Sequence, residues 1–394
     1  MVLAVESMDR IPGVKRRPGR SLRAGVHHAA TAGWLAALAL LAGCTTVDKP
    51  DPAPLVAYPP SATAQRAWTL AAGGLRGLVV AGADLLATTR AGEILAVDPA
   101  SGAVRWRARA GAEASAAAGG DGRFAAVVTR NNELVAFDQG RELWRRRLAA
   151  GAATPPLVAG ERVFIQGIDR VIAGFDVLDG RPLWTYQRPG EPLALAQPGV
   201  LMPMGDTLLA GVGPRLVALD PLKGTLQAEV SIASPRGTNE VERLADLVAP
   251  ASREGQSLCL RSFQAGVACV QGERLALAWR RPAGGRVGLA GDDKVVVGAD
   301  GASRLSAWRR DNGDMLWSSE ALRHRELGAP AVVQGLVAFG DLQGLVHLLG
   351  LDNGATRLRL ETDGTAIVAG PIVVQGRLVA ATAGGTIHAW QIQP

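Results

Sequence analysis

Aromatic residues make up only 4% of this 394-residue chain, and several other scarcities exclude chemistry. His324, His347 and His388 lie far apart without ligand spacing or a Glu-x-x-His partner, so they do not read as a metal set. No serine sits in a Gly-x-Ser-x-Gly elbow, and the glycine-rich turns join strand to strand rather than strand to helix. That leaves neither a nucleophile nor a phosphate cradle. Charge of one sign is also short. The formal charge is +6, but six Lys/Arg against two Asp/Glu in residues 1–43 supply +4 of it, and +2 over the rest provides no basic stripe for nucleic acid. Lysine occurs only at positions 15, 49, 223 and 294, and no mechanism follows from that arginine bias. The uncharged run at 29–43 falls short of the roughly twenty residues a membrane span needs.

What is present is 48% hydrophobic residues with 49 Gly and 23 Pro, enough to bury a large core and incompatible with disorder. Arg10, Lys15, Arg16, Arg17, Arg20 and Arg23 precede the uncharged run, which ends in Leu41-Ala42-Gly43-Cys44. This is a secretory signal with a lipobox over residues 1–43, and its long basic region leaves Met8 as an alternative start. Resemblance to bacterial lipoproteins implies that Cys44 is acylated and becomes the first mature residue, anchored stably by more than one chain. Thr45, where an Asp would favour the inner membrane, implies the periplasmic face of the outer membrane. Residues 44–67, with Pro50, Pro52, Pro54, Pro59 and Pro60, read as a lipidated, extended tether, the alternative being a loop packed on the domain.

From Trp68 to the end one unit returns: a short alternating strand closed by Asp, a Gly turn, and a Trp four residues after the Gly. Glu93-Ile94-Leu95-Ala96-Val97-Asp98 leads to Gly102 and Trp106, and Glu133-Leu134-Val135-Ala136-Phe137-Asp138 to Gly140 and Trp144. Asp176, Gly180 and Trp184 repeat it, while Ala228 and Leu358 fill the Trp slot in drifted copies. The slots fall at 68, 106, 144, 184, 228, 279, 317 and 358. A period near forty with several short strands per unit predicts a single all-β domain over 68–394, an eight-bladed β-propeller of four-stranded antiparallel blades. The last copy stops at Trp390 with no room for its outer strand, and Trp68-Thr69-Leu70 is an outer strand with nothing before it. The N-terminal strand is therefore expected to pair into the last blade and remove the free edge. Each Trp is expected to pack between blades with its ring N–H seeking an acceptor. Small-residue stretches with proline, such as Ala153-Thr154-Pro155-Pro156 and Ala369-Gly370-Pro371, mark where innermost strands begin.

The Ala-x-Asp, Gly and Trp unit resembles the repeat of pyrroloquinoline-quinone-binding-type propellers. Two stretches, residues 237–246 and the run from Leu316-Trp317 through Leu322-Arg323-His324-Arg325 to Gly340-Asp341 and Gly344, resemble the BamB family of outer-membrane assembly lipoproteins. The resemblance implies a non-enzymatic accessory scaffold that docks on a periplasmic POTRA domain of the central barrel protein BamA, among other subunits of the β-barrel assembly (BAM) complex, and aids insertion of β-barrel proteins. No cofactor is implied. In that family one docking loop reads Leu-x-Leu-Arg and a neighbouring loop carries an acidic pair. Here the first reads Leu193-Ala194-Leu195-Ala196, keeping both leucines but not the arginine. The second reads Arg243-Leu244-Ala245-Asp246, its second acidic position being Val248 or deleted. Two exposed leucines beside one carboxylate make a small apolar anchor with a polar rim; the alternative for the leucines is a locally packed strand face.

A quinoprotein dehydrogenase is the rival class. It would hold quinone and calcium at the ring's axis, but those enzymes resemble a longer chain and commonly carry adjacent cysteines, which this chain lacks. Cys259 and Cys269 flank a hairpin at Gln264-Ala265-Gly266, where a periplasmic disulfide depends on a register the sequence leaves open. A third class is a periplasmic peptide binder whose outer edges accept unfolded barrel strands by β-augmentation. Arg145-Arg146-Arg147 reads as a solvated outer strand.

Overall fold

The computed structural model describes residues 49–188, 193–234 and 237–393. The expected leader and the acylation site at Cys44 lie outside the described residues.

Each repeat folds as one antiparallel sheet whose two faces both need cover. Blade 1 comprises β2 (Leu75–Ala81), β3 (Asp84–Thr89), β4 (Glu93–Val97) and β5 (Val104–Arg109), hydrogen-bonded in that order. The repeated motif is the third strand of a blade. Among the described residues there are eight such four-stranded sheets, and all eight expected Trp slots fall on fourth strands. Numbered in chain order, the first strands of the other blades are β6 (Gly119–Gly120), β10 (Leu157–Ala159), β14 (Leu201–Met204), β18 (Leu247–Glu254), β22 (Ala290–Gly291), β26 (Ala331–Val333) and β30 (Ile367–Val374). Strands of neighbouring blades touch at every junction: β2 with β6, β6 with β10, β10 with β14, β18 with β22, β22 with β26, β26 with β30 and β30 with β2. The remaining junction is made by β18 against the second strand of blade 4, β15 (Thr207–Val212). The first strands therefore line the axis of a closed ring.

The ring closes as expected. β1 (Thr63–Ala71) pairs antiparallel with β32 (Thr386–Gln393), setting Trp68 opposite Ala389 and Arg66 opposite Trp390. Closure leaves the ring no free blade face, and the apolar pattern reflects it. Ile94, Leu95, Ala96 and Val97 are all fully buried, so the alternation along a third strand does not separate core from solvent. It sends Ile94 and Ala96 into a core shared with Ala125 and Val127 of blade 2, and Leu95 and Val97 into one shared with Val379 and Ile387 of the last blade.

The Trp slots lock one blade to the next. The ring N–H of Trp68 donates to the Pro99 carbonyl, that of Trp144 to Val177, Trp184 to Pro221, Trp279 to Arg310 and Trp317 to Leu351, at 2.7–3.0 Å. Each acceptor lies in the turn that ends at the motif glycine of the following blade, and the indole lies against that glycine. A Cβ added to Gly180 would meet the Trp144 ring at 2.5 Å, and one on Gly102 would meet Trp68 at 2.7 Å. The glycine thus serves both the positive φ of the turn and the close approach of the ring.

Of the two readings of the proline-rich segment, the loop packed on the domain describes residues 53–61. The closing strand begins at Thr63, and residues 53–61 lie along blade 7. Ala53 N–H donates to the Arg323 carbonyl, Leu55 joins an apolar cluster, and Arg359 donates to the Val56 carbonyl and stacks over the Tyr58 ring at 4.7 Å. A proline-rich segment has few backbone donors to satisfy, so a few backbone bonds, one apolar contact and the arginines that reach up to it are enough to lay it on a surface.

Candidate functional site

Three loops meet at one end of the sheets of blades 3 to 5. The first is the turn 167–171 between β11 (Arg162–Gln166) and β12 (Ile172–Asp176), closed by the Gly167 amide on the Val171 carbonyl and by the Val171 amide on Asp169. It sets Ile168 outward, 47% exposed, and holds Arg170 at a φ of +64°. The second loop joins β13 (Pro182–Tyr186) to β14, and carries Leu193, Leu195 and Ala196. The third joins β17 (Leu226–Ser231) to β18. Within it Thr238 donates twice to the Glu242 carboxylate and the Glu242 amide donates to Asn239, a local cap that holds the Glu242 carboxyl below its usual range.

Asp246 ties the three together. Its Oδ1 accepts from Arg170 Nη2 at 3.0 Å and its Oδ2 from the Leu195 amide at 2.9 Å, while Arg170 Nη2 also donates to the Leu193 carbonyl. A bridge between Gly199 and Val248 and the Gly199 amide on Thr154 Oγ1 complete the junction. Both oxygens of the expected polar rim are thus engaged within the molecule, and the Asp246 side chain is 15% exposed. Of the two leucines, Leu193 is exposed and Leu195 half-buried. Ala196 is exposed and Arg243 half-buried, and Val248, the other candidate acidic position, is buried in β18. The guanidinium beside Asp246 comes from Arg170, 76 residues away in sequence, which reading along either loop could not find. Ile168, on the same turn as Arg170, is likewise brought to this junction from outside both loops.

The other stretch singled out in the sequence also converges. The Arg325 guanidinium lies 2.8 Å from Asp341 Oδ2, and His347 Nε2 lies 2.9 Å from the same oxygen, all three being buried. Arg325 further donates to the Ala53 carbonyl, so this buried group holds the proline-rich segment. Burial lowers the His347 pKa; its Nε2 is hydrogen-bonded to the Asp341 carboxylate, while Nδ1 is buried without a hydrogen-bond partner. Cys259 and Cys269 stand opposite each other on β19 (Ser257–Ser262) and β20 (Gly266–Gln271) and form a disulfide with both residues fully buried. Arg145 pairs with Glu133 and Glu142, and Arg146 caps the turn at Asp179-Gly180, so these two arginines are engaged within the molecule, while Arg147 is exposed. Among the described residues no cluster of His, Cys, Asp or Glu is arranged to hold a metal ion.

Comparison with known proteins separates fold from family. A family model described as outer membrane protein assembly factor BamB matches residues 52–108 and 90–319. The outer membrane protein assembly factor BamB of Bordetella pertussis is 33% identical over 384 residues, 94% of this chain and 97% of that protein. The crystal structure of BamB from Moraxella catarrhalis superposes with a TM-score of 0.75 at 22% identity, covering 84% of this chain and 100% of that one. Quinohemoprotein alcohol dehydrogenase from Comamonas testosteroni superposes too, with a TM-score of 0.60 at 14% identity, covering 83% of this chain and 76% of that one. Both structural likenesses speak to the propeller alone, which hosts enzymes and non-enzymes alike. The family match and the full-length relative are what distinguish the two.

Proposed function

Since the chain belongs to the BamB family of outer membrane protein assembly factors, we propose that it is a lipid-anchored, non-enzymatic subunit of the β-barrel assembly complex that docks on a POTRA domain of BamA. The family is not one of enzymes, which disposes of the quinoprotein reading. Acylation at Cys44 rests on the lipobox and places the domain at the periplasmic face of the outer membrane. The observation that carries the docking reading is the junction at Asp246: an exposed Leu193 and Ile168 beside a half-buried Leu195, the leucine loop being tied by side-chain bonds and the Ile168 turn by the β11–β12 hairpin. A rigid apolar knob of this kind suits a partner that buries a few residues fully and leaves a polar rim wet.

Recovery of BamA with the full-length lipoprotein from membranes in mild detergent tests the reading. Replacing Leu193, Leu195 and Asp246 together by alanine should lower that recovery about tenfold or more, on the usual weight of central contacts. Undiminished recovery would move the docking surface elsewhere on the ring.

A further inference from the structure

We propose that Arg170 is a positioning residue of the docking surface, fixing the Leu193–Leu195 loop from a different blade. The inference rests on the docking reading above. Residues 193–199 belong to no sheet ladder; their backbone is held at the far end by the bridge at Gly199 and by the Ala249 amide on the Pro198 carbonyl, so the shape of residues 193–197 depends on side chains that reach it. Two of those links pass through one ion pair: the Leu195 amide ends on Asp246 Oδ2, and the Leu193 carbonyl accepts from Arg170, which also holds Asp246 Oδ1.

The pair is sheltered. The Arg170 and Asp246 side chains are 17% and 15% exposed, so solvent screens their attraction less than at an open surface. Arg170 is itself constrained: its amide donates to the Gly167 carbonyl at 3.0 Å, its φ of +64° is one that a side chain rarely adopts, and its Nη1 lies where a Cβ on Gly213 would approach to 3.2 Å. With the guanidinium removed, Asp246 would be left mostly buried without its counter-charge and the Leu193 carbonyl without its donor. The loop would then sample conformations that docking must freeze out again, a cost that appears directly as lost affinity.

The test uses the full chain with Arg170→Met, which keeps the aliphatic stem and removes the charge. Two readouts are taken: hydrogen exchange of the peptide spanning residues 193–199, and binding to the purified POTRA region of BamA. The expected result is exchange faster and affinity weaker by about tenfold each, with Arg170→Lys recovering part of both because one ammonium still reaches an acceptor. Should Arg170→Met fold poorly, Asp246→Asn serves in its place: it retains an acceptor for the Leu195 amide, removes the ion pair, and should give the same pair of changes. Exchange that stays at the wild-type rate overturns the proposal. So does normal binding by the Arg170 variant when Leu193→Ala/Leu195→Ala loses it. If the double leucine variant binds normally, the docking reading has failed, and the exchange rate alone decides whether Arg170 holds the loop.

Discussion

Gly180 shows how much one residue can be asked to satisfy. Its φ of +69° closes the Asp176 turn, and its missing side chain is the seat of the Trp144 indole. Gly180→Ala should therefore destabilise the propeller by about 2–4 kcal/mol through clash and strain together. Gly160→Ala, also at positive φ but with nothing within 4 Å of the added Cβ, should cost only about 1 kcal/mol. Denaturant unfolding of the two variants separates the contributions, and equal losses would mean that the ring exerts no steric demand. His347 makes a different demand. Burial, followed by the nearby Arg325 and Arg359 charges, lowers its pKa despite the opposing pull of Asp341, so the unfolded chain binds a proton that the folded one refuses. Stability from this group is complete above the unfolded value of about 6.5 and is lost as pH falls below it. Asp341 acts the same way at lower pH: burial pushes its carboxyl up, but the bonds from His347, the Leu345 amide and Arg325 outweigh that and hold it down. Its contribution is present above about 3.9 and fades as acid protonates it. Melting temperature should fall from pH 7 to pH 5, and His347→Gln should flatten that slope in part, since His388 is also lowered by burial and by Arg66. An identical slope in the variant would exclude His347 as a source.

At the scale of elements, β1 carries the closure. Without it β32 would be an open edge, and the apolar contact that Trp68 makes with the first blade would be lost. Deleting Thr63–Ala71 should cost at least the roughly 3–5 kcal/mol expected for truncating one buried Trp, and should shift the protein to oligomers in gel filtration. A monomer with unaltered melting would show that the ring holds without this strand. The eight third strands, their turns and the fourth-strand Trp slots were legible because each obeys a local rule repeated every forty residues or so. The first strands were less so: β6 and β22 contain two residues each, too short for any periodicity. The proline-rich segment left two readings open for a related reason. Proline content marks the absence of regular structure, and whether such a segment stands free or lies on a surface depends on Arg323, Arg325 and Arg359, some 270 to 300 residues further along.

At the scale of the whole molecule, the anchor makes its own prediction. Cys44→Ala should move the protein from the membrane to the soluble periplasmic fraction, and Thr45→Asp should retain it at the inner membrane; fractionation reads both. Fold class, blade number and the closing strand all follow from the linear order of residues, because a repeat states its rule many times and a drifted copy such as that at Ala228 is corrected by its neighbours. The sharing of Asp246 between Arg170 and Leu195, the buried Arg325-Asp341-His347 group, the register that sets Cys259 against Cys269 and the seating of residues 53–61 were decided only in three dimensions. Each joins side chains that occur once, at positions no repeat predicts. Their energies depend on desolvation and distance, which exist only after the blades have closed.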